Sequence, residues 1–302
     1  MSEHPVPSST HPFIPNPSPG PYSPERGEDS LSLPPSVLSI LTYNVHSCIG
    51  TDRRMDPERI AEVIAAARPD VIALQELDVG RARTGGIDQA ARIADLLKVT
   101  SHFHPALHVR EEQYGDAILT ALPSRLVKAG AIPSVGETRG ALWVEVEVDG
   151  RPVQIFNTHF GLRRGERRRQ AEALLGDAWI GNDACRDQPV ILTGDFNAIP
   201  SSVAYGLLRR RLPPVRVHDD QGTSPGQNTR IGPTFPSRFP LLRLDHIFVS
   251  QGIETLSVAA VRTPLSRIAS DHLPLQASLR IGGSRNFETS SRNHRQAGPF
   301  IP

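Results

Sequence analysis

Mixed α/β is the fold class this sequence predicts, and two observations predict it. Strand-like apolar runs alternate with segments of helical period, in the order 39–44, 56–67, 71–75 and 88–97. Further along, Leu142, Val144, Val146 and Val148 alternate with mostly polar positions up to Asp149-Gly150, after which 152–159 runs back as a second strand. An Asp-Gly pair between two such runs is a hairpin signal, so a purely parallel doubly wound sheet is not expected.

Each element has its own reason. The helix over 56–67 opens on Asp56 as N-cap, with Pro57 at the first helical position, where no N–H is needed. Its Ile60, Val63, Ile64 and Ala67 recur at i, i+3, i+4 and i+7, giving one face to pack on a sheet. Later strands are expected at 190–193, 244–249, 255–261 and 275–281, with helices near 166–180 and 202–210. No repeat recurs at a fixed period.

The ends read differently from the middle. Residues 1–35 hold ten of the 28 prolines and seven serines with almost no periodic apolar pattern, so they cannot bury enough surface to offset chain entropy. They are expected to form a disordered tail. A second, polar tail is expected over 282–302, which leaves one folded domain over 36–281. Pro15, Pro17, Pro19 and Pro21 fall on every second residue, favouring an extended head that could serve a partner domain as a ligand.

Charge narrows the function classes. With 33 Lys+Arg against 32 Asp+Glu the formal charge is +1, which argues against a protein built to neutralise long tracts of nucleic-acid phosphate. Cys48 and Cys185 lie far apart, with no CxxC spacing to suggest a zinc cluster or redox pair. No run of about 18 apolar residues and no secretory signal pattern occurs. The chain reads as soluble, the reducing cytosol fits its cysteine usage without following from it, and a monomer is expected.

The most informative pattern lies where apolar strands end. Runs finish at Asn44, at Glu76, at Asn157-Thr158-His159 and at Asp195-Phe196-Asn197, and two more such ends are Asp245-His246 and Asp271-His272. One polar strand end means only that the chain has reached water. Six that converge would make an oxygen-rich site, and carboxylates and amides without thiolate are what Mg²⁺ or Mn²⁺ prefers.

The stretches LTYNVH, LQELD, YGDAILT, NTHF, GDFNAIP, RLDHIFVS and SDHLPL, in this order over 36–281, resemble the endonuclease/exonuclease/phosphatase superfamily with the deoxyribonuclease-I-like fold. The resemblance implies a four-layer α/β/β/α sandwich of two mostly antiparallel or mixed sheets with flanking helices. It implies Glu76 as the principal metal ligand, with Asn44 and Asp271 near the ion. Asp195 would orient or deprotonate the attacking water, Asn197 would position phosphate and water, and His272, oriented by Asp245, would stabilise the phosphoryl oxygens. His159 would be the second catalytic histidine. The identity of the general base and the number of metals stay open. One departure stands out: Gly115-Asp116-Ala117 carries a carboxylate where the family often has an amide, a repulsive group beside phosphate unless metal-bound or turned away.

Weaker signals have plainer readings. Gly222-Thr223-Ser224-Pro225-Gly226 spells GxSxG, but Pro225 lacks the N–H an oxyanion hole needs, so it is read as a loop. Ser270-Asp271-His272 has the residue types of a serine-hydrolase triad, yet adjacent residues on extended chain point apart. His102, His104 and His108 are read as surface histidines. Arg163, Arg164, Arg167, Arg168 and Arg169 start a helix, where cations are unfavourable, and are a candidate contact for a phosphate-rich substrate or lipid surface. Arg139 is a second candidate phosphate contact.

The expected function is a divalent-metal-dependent phosphoesterase using Mg²⁺ or Mn²⁺ on a phosphodiester. A lipid or other small phosphodiester is preferred, because NTHF, GGIDQA at 85–90 and TFPSRFP look like a bacterial branch associated with lipid or glycolipid phosphoesters. That reading places the enzyme in the cytoplasm, with peripheral contact to the inner membrane face as an extension. The alternatives are a nuclease acting on DNA or RNA and a noncatalytic binding module with this fold.

Overall fold

Both faces of the central strands are apolar, and that decides the layering. In the computed structural model, which describes residues 34–109, 112–216 and 231–282, neighbouring side chains on one strand enter different cores. The two expected tails, save 34–35 and 282, and the GxSxG stretch lie outside the described residues.

The first half runs β1 (Ser36–Asn44), α1 (Pro57–Ala67), β2 (Val71–Val79), α2 (Gln89–Leu97), β3 (Thr100–Val109) and β4 (Glu112–Thr120). The second runs β5 (Ser124–Ile132), β6 (Arg139–Val148), β7 (Arg151–His159), α3 (Arg164–Leu175), β8 (Val190–Asp195), α4 (Val203–Arg211) and β9 (Asp245–Val249). Then β10 (Ile253–Ala260), the short α5 (Ser266–Ala269) and β11 (Leu275–Ile281) return to the first sheet. The six-stranded sheet has the order β10-β11-β1-β2-β4-β3 and the five-stranded sheet β5-β6-β7-β8-β9.

Ile40, Ile118, Leu275 and Leu279 of one sheet meet Val144, Ile155, Ile191 and Ile247 of the other in a core between the sheets. One residue along β1 from Ile40, Leu41 faces the other way, and with Tyr43 it packs against Ile60, Ile64 and Ile93 of α1 and α2. On the far side Phe156, Leu192 and Phe248 pack under α3 and α4 through Leu174, Tyr205 and Leu208. The result is the four-layer α/β/β/α sandwich that the family resemblance implies.

Local signals explain most boundaries. Asp56 caps α1 by accepting from the Arg59 N–H at 2.8 Å, and Asp88 caps α2 through Ala91. Asp149 and Gly150 both take positive φ, 49° and 77°, as a tight hairpin turn between β6 and β7 requires. Two differences from the sequence reading stand out. Residues 100–132, where the sequence pattern marks no element, form β3, β4 and β5. The helix expected to reach residue 180 stops at Leu175, and 176–180 turns back so that Trp179 and Ile180 enter the outer core.

Two strand pairs are parallel, β1 with β2 and β7 with β8, and each is crossed by one helix, α1 or α3. Their carboxyl ends open on the same edge of the sandwich, the place where α/β sheets bind ligands. Phe248, fully buried in the outer core, tests this layering: Phe248→Ala should cost about 3–5 kcal/mol in urea unfolding. A loss under about 1 kcal/mol would contradict its placement.

Candidate active site

A kink in β2 aims the first site residue. Glu76 has φ of 61° inside a strand, and the β2–β4 register slips between Leu74 and Leu77. A β-bulge leaves backbone groups without ladder partners, and here the fully buried Asn157 of β7 takes their place. Its Nδ2 donates to the Leu74 and Ala117 carbonyls at 2.8 and 3.0 Å, while its Oδ1 accepts from Gln75 Nε2 at 2.7 Å. Asn157 thus joins the two sheets beneath the site and does not enter it.

Three other site residues share one register row. His159 pairs with Asp195 across β7 and β8, and Asp195 with Asp245 across β8 and β9, so their side chains leave one face of the sheet as neighbours. Asp195 is buried. Its Oδ1 accepts from the Asn197 N–H at 2.8 Å and its Oδ2 from Asn44 Nδ2 at 3.0 Å. His159 Nε2 and His272 Nε2 each lie 3.6 Å from Asp195 Oδ2. His272 Nδ1 is 2.8 Å from Asp245 Oδ2, and Phe235 of the TFPSRFP segment packs on its ring at 4.9 Å.

Asn44 reaches the carboxylates with its amide nitrogen, which also donates to Glu76 Oε1 at 2.9 Å, while its oxygen accepts from the His46 N–H. Glu76 and Asp271 are more open, at 20% and 35% exposed, and Glu76 Oε2 and Asp271 Oδ1 both face His46 Nδ1, at 3.3 and 3.8 Å. Two partly open carboxylates on one cleft wall are oxygen donors suited to a hard divalent cation, so the residues fit one. Asp195, Asp245 and His272 also converge, with one donor atom each within 4.8 Å, and Asp245 Oδ1 has no partner among the described residues. That buried trio could hold a metal too, but its shortest contact is already a hydrogen bond between His272 and Asp245.

The electrostatics separate the groups. Burial pushes the His272 imidazole down, but the charges of Asp245 and Asp195 outweigh it and carry it up to about 10. Burial raises the Asp195 carboxyl to about 6 against the opposing charge of His272. For Glu76, burial is outweighed by the His46 hydrogen bond, the His159 charge and Asn44, and its carboxyl falls well below the usual range. His159 goes the other way: burial, then the Arg139 charge, lower it to about 3, so it is neutral at pH 7.

Arg139 also fixes which nitrogen of His159 carries the proton. Its Nη1 stands 2.7 Å from His159 Nδ1, and a guanidinium can only donate, so Nδ1 accepts. Asn197 Nδ2 lies 3.1 Å from Nε2 and itself donates to the Phe160 carbonyl at 2.9 Å. A neutral imidazole accepts at one nitrogen only, and the shorter, charge-assisted contact takes it. The proton therefore sits on Nε2, toward Asp195 and Glu76.

All eight residues expected at the site come together. Glu76, His159, Asp195, Asn197, Asp271 and His272 wall one cavity of about 660 Å³. Asn44 and Asp245 stand behind that wall, Asn44 bonded to Glu76 and Asp195, and Asp245 to His272. The same cavity is walled by His46, Arg81, Arg83, Tyr114 and Arg139. Of these only Arg139 was singled out by the sequence, although His46 ends the quoted LTYNVH. The five arginines from Arg163 to Arg169 do not line it, whereas the exposed Leu162 does. His102 and His104, expected at the surface, are half-buried: His102 Nε2 is 3.0 Å from Ser124 Oγ, and the His104 ring lies against Gly140, where a Cβ would meet it at 2.9 Å. Ser270 is a brace, its Oγ donating to the Asn44 carbonyl at 2.8 Å.

Known proteins share this arrangement of strands and motifs. The model of the Endonuclease/Exonuclease/phosphatase family matches residues 41–272. The chain belongs to that family. The uncharacterized protein YbhP of Escherichia coli K12 is 26% identical over 260 residues, covering 81% of this chain and 96% of YbhP. Among solved structures, the human Nocturnin catalytic domain with bound sulfate has TM-score 0.61 at 23% identity, covering 80% of this chain and 94% of that one. The Bacteroides thetaiotaomicron mannosyl-6-phosphatase has TM-score 0.62 at 18% identity, covering 80% and 99%. As a member of the Endonuclease/Exonuclease/phosphatase family, the chain is a hydrolase of phosphate esters. Among the described residues no helix is long and apolar enough to cross a membrane.

The departure at Asp116 also resolves. Burial pushes its carboxyl up to about 8 despite Arg139, so it is protonated at pH 7 and adds little negative charge beside the site. Between about pH 4 and 8 the unfolded chain releases this proton while the native state keeps it, so wild-type stability falls as pH rises through that window. Asp116→Asn removes the effect: its melting temperature should match wild type near pH 4 and exceed it by a few degrees at about pH 8. A difference that does not change with pH would refute the neutral carboxyl.

Proposed function

We propose that this chain is a divalent-metal-dependent phosphodiesterase that uses Mg²⁺ or Mn²⁺ and acts on a lipid or other small phosphodiester. The observation that carries the reading is Asp195 flanked by the Nε2 atoms of two histidines, each at 3.6 Å, in a cavity that also holds the open carboxylates Glu76 and Asp271.

In this reading Glu76 and Asp271 hold the cation, with Asn44 beside it bridging Glu76 and Asp195. When bound, a divalent cation supplies Lewis-acid polarisation of a phosphoryl oxygen and makes water easier to deprotonate. Asp195 orients the attacking water and takes its proton. His272, kept charged by Asp245, and His159, presenting Nε2–H, donate to the phosphoryl oxygens as negative charge builds in the transition state. Asn197 positions the phosphate. Arg139 adds a donor: its buried Nε–H has no partner among the described residues, and the residue lines the cavity.

The apolar side of the cavity supports a small or lipid substrate. Leu162, 72% exposed, lines it together with Phe235 and Leu244, and the cavity is roomy enough for a small headgroup. The formal charge of +1 favours such a substrate over a long nucleic acid. Such an enzyme works in the cytoplasm, including at the inner membrane face, and the buried thiols of Cys48 and Cys185 suit a reducing compartment.

The test is turnover by the purified chain with EDTA, Mg²⁺ or Mn²⁺ on phospholipid, nucleic acid and a generic phosphodiester. Metal-dependent turnover, best on lipid or the small diester, is expected, with Glu76→Ala and Asp195→Asn nearly inactive and His159→Ala slowed about 10²–10⁴-fold. Nucleic acid as the best substrate would replace the substrate class, and turnover that survives EDTA would overturn the metal. The rate should rise with pH through about 6 as Asp195 ionises, and fall near 10 as His272 loses its proton. A rate that falls between about pH 6 and 8 would contradict these roles.

A further inference from the structure

We propose that His46 is a nitrogen ligand to the divalent cation held by Glu76 and Asp271, so that the site favours Mn²⁺ over Mg²⁺. This inference rests on the metal-dependent reading above and adds a residue and a metal preference to it.

The backbone at His46 is the first observation. His46, Ser47 and Cys48 have φ of 48°, 52° and 56°, three consecutive left-handed residues, and none is glycine. Each such residue is held in a sparsely populated conformation, and strain of this kind persists only where the surroundings over-determine it. Here they do. Gln89 Nε2 donates to the Ser47 carbonyl at 2.6 Å, and its Oε1 accepts from the Asp78 N–H at 2.9 Å. Arg83 donates to Ser47 Oγ at 2.9 Å while its guanidinium grips the buried Asp78 at 2.7 and 2.8 Å. The Asp78 of LQELD and the Gln89 of GGIDQA, neither of them a wall of the cavity, thus hold this turn in place.

What the turn delivers is the second observation. His46 Nδ1 lies 3.3 Å from Glu76 Oε2 and 3.8 Å from Asp271 Oδ1, and the ring is half-exposed at the cavity wall. Donor atoms about 2.1 Å from an octahedral cation stand about 3 Å apart along an edge, so these spacings need only small adjustment to share one ion. With the cation bound, the half-exposed ring keeps its proton on Nε2 toward water, and the metal takes the place of the Nδ1 hydrogen bond to Glu76. An imidazole among carboxylates suits Mn²⁺ better than Mg²⁺, which holds oxygen ligands almost exclusively.

The test reads the metal, not the reaction. Mn²⁺ bound to the full chain is examined by pulsed electron paramagnetic resonance for coupling to an imidazole nitrogen, and Mn²⁺ and Mg²⁺ affinities are measured by calorimetry. The variants are His46→Ala and His46→Asn, the second because asparagine tolerates the left-handed turn. Wild type should show the nitrogen coupling and both variants should lose it. Mn²⁺ affinity should drop about 10-fold or more, while Mg²⁺ affinity changes less than about 3-fold. Coupling that survives in His46→Asn would place the nitrogen on another histidine and overturn the proposal. So would bound Mn²⁺ without nitrogen coupling in wild type. Failure of wild type to bind either metal would bring down the metal-dependent reading itself, and this inference with it.

Discussion

The kink at Glu76 is the constraint on which the site depends. A left-handed glutamate inside a strand is unfavourable by about 1–2 kcal/mol, and it breaks the β2–β4 ladder where the two sheets press together. The structure answers with Asn157, whose amide takes up two backbone carbonyls and the Gln75 side chain. On the other side of β2, the Val45 N–H donates to the Gln75 carbonyl at 3.0 Å and continues the pairing with β1. A side chain that regular pleating would send into a core is thereby turned to the open edge. The polar layer under the cavity is the cost of that turn, and it ties both sheets to one geometry.

Crowding of acids sets the second constraint. Glu76, Asp195, Asp245 and Asp271 all approach one cavity edge, and like charges at such spacing would push one another toward protonation. Each is met by a donor. Asn44 Nδ2 stands between Glu76 and Asp195, His272 between Asp195 and Asp245, and His46 between Glu76 and Asp271. Asp116, where burial outweighs the nearby Arg139 charge, stays protonated instead.

The polar strand ends were legible because they interrupt strands with apolar residues on both faces. In β1, β7 and β8 the apolar run leads straight into Asn44, His159 and Asp195, which stand out against it. The strands without a legible pattern include two of the four edge strands: β3, which carries Pro105 and three histidines, and β5, with Lys128 and Gly130 and mostly half-buried positions. β5 buries too little to show a clean period of two, and an edge tolerates the proline of β3. His46 was hidden for another reason. Nothing in LTYNVH tells that its last residue turns left-handed, because the clamps on that turn come from Arg83 and Gln89, far along the chain. Arg139 needed the hairpin of β6 and β7, which sets it beside His159.

The hydrogen-bond directions narrow the chemistry further than the residue types do. The sequence leaves the base of the proposed hydrolysis open, and the site offers His159, His272 and Asp195 for it. Arg139 occupies the Nδ1 lone pair of His159, so the nitrogen that faces the cavity bears a hydrogen and can only donate. Against its burial, Asp245 and Asp195 hold His272 protonated up to about pH 10, so it too is a donor at neutral pH. Asp195 remains, with one oxygen fixed by the Asn197 N–H and the other turned to the cavity side, where both histidines and Asn44 meet it. Its carboxyl, raised by burial to about 6, is ionised at pH 7 yet basic enough to take a proton from water. For the proposed reaction, the partners that each ring nitrogen and the Asp195 carboxylate already have favour two fixed donors toward the phosphoryl oxygens and one acceptor for the proton.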